Sequence, residues 1–172
     1  MIFLYLALFI IVVYFFLVFF VLRLIVPFMG FSRLQLPREI PLVVREKIDE
    51  LESKSTNQLE YLTAAYNYVT ATWRAGRLTT IFYAHLAFRK NLTALFSAPG
   101  FAQCNTQNYV LFVLLAGSKY FKPSDVQVKT VFFNMFIHQY LEVIVEGKIL
   151  KVDPAGASIR GMPLGTYIKF FG

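Results

Sequence analysis

Gln103-Cys104-Asn105-Thr106-Gln107-Asn108-Tyr109-Val110-Leu111-Phe112-Val113-Leu114-Leu115-Ala116-Gly117 carries no proline, no charge and no glycine before its last residue. The run predicts a helix of about three turns, stopped at Gly117, with apolar positions nearly all the way round. A helix of that kind belongs in the middle of a core. Cys104 is the only cysteine of the chain, and it falls in the first turn. There the unpaired backbone N–H groups and the positive end of the helix dipole favour a thiolate over a thiol.

Downstream of a charged connection, residues 119–125, the pattern changes from helical to strand-like. Residues 126–133 alternate polar and apolar, residues 137–145 are rich in β-branched and aromatic side chains, and residues 148–152 alternate again. Glu146-Gly147 reads as a two-residue hairpin turn between the last two. Counting outward from that turn, His138 and Asp153 reach the open end as near cross-strand neighbours, close enough for a carboxylate to hold an imidazole N–H. An oriented base and a thiol at a helix N-terminus are the parts of an acyl-accepting thiolate.

At these residues the chain resembles the transglutaminase-like superfamily of papain-fold cysteine enzymes. The matching pieces are Gln103-Cys104 opening an apolar helix, His138-Gln139-Tyr140-Leu141-Glu142-Val143 on a strand, and Lys151-Val152-Asp153-Pro154 after a hairpin. Their order and spacing suit the family's minimal core, and the resemblance covers roughly residues 56–160. Ala102, Tyr140 and Ile149 depart from the family's usual Gly, Trp and Trp. The resemblance implies an α+β fold, with helices packed on a small antiparallel β-sheet. It also implies a triad of Cys104 as nucleophile, His138 as base and Asp153 as orienting carboxylate. Beside the Cys104 backbone N–H, the Gln103 side chain is a candidate oxyanion donor. Neither a cofactor nor a metal is implied.

Residues 1–22 contain no charge, glycine or proline. At ~1.5 Å per helical residue they extend about 33 Å, enough for a bilayer core of about 30 Å. The expected organisation is a transmembrane helix at 1–26, a linker at 27–41 and a transglutaminase-like domain at 42–172. A cleaved signal peptide fits less well: no Lys or Arg precedes the apolar run and no Ala-x-Ala follows it. Arg23, Arg33 and Arg38 all lie on the C-terminal flank, which places the domain in the cytoplasm by the positive-inside rule. The lone cysteine suits either compartment. The net charge of +7 is scattered, with no basic block and no nucleic-acid motif. It points to an anionic membrane surface as partner and away from nucleic acid.

Between anchor and cysteine three helices are expected. Residues 42–52 put Val44, Ile48 and Leu51 on one face. Ser55 to Gln58 fits a capping box for a second, with Leu59, Leu62, Tyr66, Val69 and Trp73 on its stripe. A third at 78–96 keeps a helical period through Ile81, Ala84, Phe88, Leu92 and Leu95. Trp73 reads as core, and His85, lacking ligand-spaced partners, as a surface or satisfied histidine. Beyond Asp153, residues 154–157 and 161–165 read as loops and 166–171 as an edge strand.

Taken singly, a lone cysteine is a small buried hydrophobe and a strand histidine is structural. Their joint placement favours a membrane-anchored cysteine enzyme that transfers an acyl group from a protein or peptide amide through a thioester. Water as acceptor makes it a peptidase or amidase, and a lysine amine makes it a crosslinking enzyme. A catalytically inactive papain-like scaffold for membrane-anchored binding or assembly is the alternative. A small membrane protein unrelated to the family is a third, and it predicts that Cys104, His138 and Asp153 do not converge.

Overall fold

Every residue of the helix Cys104–Ala116 after its cysteine is buried, the polar Asn105, Thr106, Gln107 and Asn108 included. The remaining elements supply the walls that this burial requires. A computed structural model describes residues 2–30, 33–131 and 137–169. Within them lie α1 (Ile2–Ile25), α2 (Leu42–Ser53), α3 (Gln58–Thr72), β1 (Trp73–Arg74), α4 (Arg77–Phe82), α5 (Leu92–Ser97), β2 (Gly100–Phe101), α6 (Cys104–Ala116), β3 (Val126–Val131), β4 (His138–Val145), β5 (Lys148–Val152) and α7 (Pro154–Arg160). The architecture is α+β: seven α-helices among the described residues, a small antiparallel sheet and an N-terminal apolar helix long enough to cross a membrane.

The sheet has the order β3-β4-β5, antiparallel throughout. Glu146 (φ 50°) and Gly147 (φ 79°) both lie in the left-handed region, as a two-residue turn matched to the strands' twist requires. That turn sets the register Val145↔Lys148 through Leu141↔Val152. Residues 132–133, expected to extend β3, lie outside the described residues. Helix α6 packs against this sheet on one side and against α3, α7 and α2 on others. Val44, Ile48 and Leu51 of α2 are buried as their spacing predicts.

Four expectations change. The cap of α3 lies two residues further on: Asn57 Oδ1 accepts from the Glu60 N–H at 2.9 Å, while Ser55 Oγ donates back to Leu51 O. Leu59 points outward, and Tyr61, Leu62, Ala65, Tyr66 and Val69 are buried. The single helix expected over 78–96 is interrupted after α4 by a 3-10 turn at Ala84–Phe88, then restarts as α5. Asn91, whose Oδ1 accepts from Ala94 N–H, caps the restart; an Asn with that local bond available competes with helix continuation. The Pro154 segment is a helix, with Asp153 as its N-cap, Pro154 at its first position and Gly161 (φ 64°) at its end, a standard helix grammar. The tail over 166–169 is irregular and not a strand.

The described residues of 27–41 form no helix or strand, but they are not a free spacer. Phe28, Leu34, Leu36 and Ile40 pack on the core, and Met29 is buried. The Phe28 ring stacks on Tyr109 of α6 with centroids 3.6 Å apart. Phe28 adopts φ 63°, a conformation that costs a bulky residue about 1–3 kcal/mol and that this stack helps to hold.

The outward turn of Leu59 yields a contrast within one helix. Leu62→Ala should destabilise the detergent-solubilised chain by roughly 2–5 kcal/mol, and Leu59→Ala by less than about 0.5 kcal/mol, in denaturant titrations. Equal losses at the two positions would contradict this packing.

Candidate functional site

Cys104 opens α6 after Gln103, whose extended backbone ends the preceding strand segment. The segment is fixed by the parallel pairing of β1 with β2 and by the Ala102 N–H to Arg74 O bond of 3.1 Å. Three side-chain amides then tie the first turns of α6 to what surrounds them. Asn105 Nδ2 donates to Pro27 O (2.9 Å) and Ala87 O (3.3 Å), Gln107 Nε2 to Ala102 O (2.8 Å), and Asn108 Nδ2 to Gln139 O (2.9 Å). The cysteine is therefore held by a helix end bonded to residue 27 just after the apolar helix, to residue 87 and to β4. Cys104 itself is half-buried, and its Sγ lies 3.8 Å from Ile137 O, which accepts from the thiol.

His138 begins β4 and Asp153 follows β5 directly. The hairpin register sets Asp153 diagonal to His138 on one face of the sheet. His138 Nε2 and Asp153 Oδ2 are 2.7 Å apart, both side chains buried. The carboxylate also accepts the Gly156 N–H on Oδ1 (2.8 Å) and the Ile168 N–H on Oδ2 (3.0 Å). A carboxylate so supplied with donors holds the hydrogen of His138 on Nε2 and leaves Nδ1 as the second ring nitrogen. Burial pushes the His138 pKa down. The hydrogen bonds to Asp153 and Cys104 and the charges of both outweigh it and raise the imidazole to about 10.

Gly156 is part of this arrangement, because a Cβ there would stand 2.6 Å from Asp153 Oδ2. The irregular tail matters as well. Ile168 supplies an N–H to Asp153, and Tyr167 stacks on Tyr140 at 4.2 Å with Lys151 Nζ 4.6 Å above its ring. Tyr140 thus stands in an aromatic pair beside the histidine. Ile149, the other position where the resembling family carries Trp, is 65% exposed on the hairpin. Glu142 is a cross-strand partner of Lys129 at 3.4 Å. Gln103 makes no side-chain cap on α6.

Trp73 is fully buried core, and His85 is exposed in the 3-10 turn. Among the described residues no group of three His, Cys, Asp or Glu could hold a metal ion. A groove lined by Arg74, Gly76, Tyr83, Gly100 and Phe101 runs along β1 and β2 just upstream of Cys104.

The anchoring amides and the tail contact escaped sequence reading. Four uncharged polar residues opening an otherwise apolar helix, 105–108, were the available signal for the first, and the Asp-Pro pair for the helix that braces the carboxylate. No protein-family model, no curated protein and no solved structure matches the chain. The family resemblance therefore rests on the residues themselves.

An imidazole raised from 6.5 to about 10 in the fold contributes stability that is fully present below its unfolded value and lost as pH rises through about 10. The melting temperature of the full chain in detergent should fall between pH about 7 and 10, by a loss of order a few kcal/mol. Asp153→Asn keeps an acceptor for Gly156 N–H but removes the charge, and should flatten that slope. A parent chain with no slope would remove the charged pair.

Proposed function

We propose that the chain is a membrane-anchored cysteine enzyme of transglutaminase-like, papain-like type that hydrolyses a peptide or amide bond through a thioester. The observation that carries this reading is the buried His138–Asp153 pair of 2.7 Å, with the half-buried Cys104 at a helix N-terminus and its Sγ 3.8 Å from the carbonyl oxygen of Ile137, the residue before His138. In the acylation step the Cys104 sulfur attacks the amide carbonyl carbon. The S–C bond forms, and the developing oxyanion takes the Cys104 backbone N–H, one of the donors left unpaired at the start of α6. As the C–N bond breaks, the His138 imidazolium gives its Nδ1 proton to the leaving amine. Neutral His138 then takes a proton from water as that water attacks the thioester, releasing a carboxylic acid and restoring the sulfur–imidazole pair. Asp153 stays ionised throughout, fixing the tautomer and stabilising the imidazolium.

Gln103 remains the candidate for a second oxyanion donor, and the groove along β1 and β2 is the candidate route for the acyl substrate. A lysine amine in place of water turns the same chemistry to crosslinking. The anchor is α1, and Arg23, Arg33 and Arg38 on its C-terminal flank support a domain on the cytoplasmic side, with an extracytoplasmic domain as the alternative.

The inactive-scaffold reading draws on one observation, the absence of both family tryptophans at Tyr140 and Ile149. The two readings separate by chemistry. In the full chain in detergent, iodoacetamide should alkylate Cys104 at pH about 6.5 at least about tenfold faster than in the His138→Ala variant. Cys104→Ala should abolish any amide hydrolysis found with a peptide library. Slow alkylation in the folded chain, indifferent to His138, would leave the scaffold.

A further inference from the structure

Helix α1 is exposed along almost its whole length, yet Val18 within it and Val26 just after it are buried. They form one cluster with Met29, Ala87 and Ile137, against which Phe19 and Cys104 pack. Arg23 ends the uncharged run at the edge of a hydrocarbon core, and Val18 lies five residues, about 7.5 Å of helix rise, before it. A helix that spans that core must therefore keep Val18 inside the apolar layer. Whatever packs around Val18 stands at the layer's edge.

Ala87 belongs to the segment 77–88, much of whose described apolar surface is open. Ile81, Phe82, Tyr83 and Phe88 are exposed, Phe82 by 78%. Four large apolar side chains within eight residues, continuous with a membrane helix through Ala87, are not an ordinary solvated face. Exposed Lys90 follows them, placed to meet anionic headgroups where the chain leaves the apolar layer. Asn105 holds the arrangement together by bonding Pro27 O and Ala87 O at once.

We propose that residues 77–88 form a second bilayer-contacting element that lies in the lipid interface beside α1, so that Cys104 faces the lipid boundary and not the bulk solvent. The proposal rests on α1 spanning the bilayer and is independent of whether Cys104 is catalytic.

The test uses the full chain in phosphatidylcholine and phosphatidylglycerol vesicles whose acyl chains are dibrominated near the headgroup, which quench a neighbouring tryptophan. Phe9→Trp, Phe82→Trp and Ile149→Trp are compared, each after subtracting the parent signal of buried Trp73. Phe82→Trp and Phe9→Trp should lose most of their emission and Ile149→Trp, on the sheet hairpin, almost none. Phe82→Trp behaving like Ile149→Trp overturns the proposal while leaving anchor and enzyme standing. An unquenched Phe9→Trp removes the spanning anchor, and this proposal with it. Ile81→Trp repeats the measurement one residue away, should Phe82→Trp fail to fold. Neither result alters alkylation of Cys104, so loss of this surface and loss of the enzyme reading are told apart.

Discussion

A helix that is buried on every side must be walled on every side, and α6 imposes that condition on the rest of the chain. Its apolar last turns are met by α2, α3, α7 and the sheet. Its first turns are polar, and a buried amide without a partner costs about 1–3 kcal/mol. Asn105, Gln107 and Asn108 therefore each recruit a backbone carbonyl from a different neighbour. The same bonds that let the helix be buried also set its N-terminus, and with it the sulfur of Cys104, in one position.

The other half of the site is a consequence of how a hairpin ends. A turn of two left-handed residues sets the register, and the register brings the end of β5 back beside the start of β4. Asp153 then has three tasks on one carboxylate: it caps α7 through Gly156 N–H, receives the Ile168 N–H of the tail, and holds His138. The absence of a side chain at Gly156 is what admits the carboxylate there. Cap, tail and histidine thus share one charge, so stability and the orientation of the base are coupled.

The strongly patterned elements were legible: the apolar anchor, α2 with its Val44, Ile48 and Leu51 face, α6 with its Gly117 stop, and the β4–β5 hairpin. Where reading failed, a local polar bond or a tertiary contact had outweighed periodicity. Over 78–96 the apolar spacing is helical, but Asn91 offers a cap and Ile81, Phe82 and Phe88 stay exposed. At 55–58 two overlapping cap signals compete, and Asn57 takes the cap while the Ser55 hydroxyl bonds back to Leu51 O. Residues 27–41, broken by Pro and Gly, look like a spacer, because a stack such as Phe28 on Tyr109 leaves no periodic trace.

By itself the sequence determined the things that depend on neighbours a few residues apart. These are an apolar helix long enough for a bilayer, a helix N-terminus at the only cysteine, and a turn that carries His138 and Asp153 to the same end of a hairpin. Only the tertiary structure decided what depends on residues far apart in the chain. It holds the end of the N-terminal apolar helix on the rest of the chain through Asn105, packs Phe28, Leu34, Leu36 and Ile40 on the core, and brings Ile168 to the carboxylate of Asp153. The reason is physical: helix and turn preferences are local energies, whereas these contacts come from satisfying buried polar groups with whichever carbonyl or N–H the folded chain brings near.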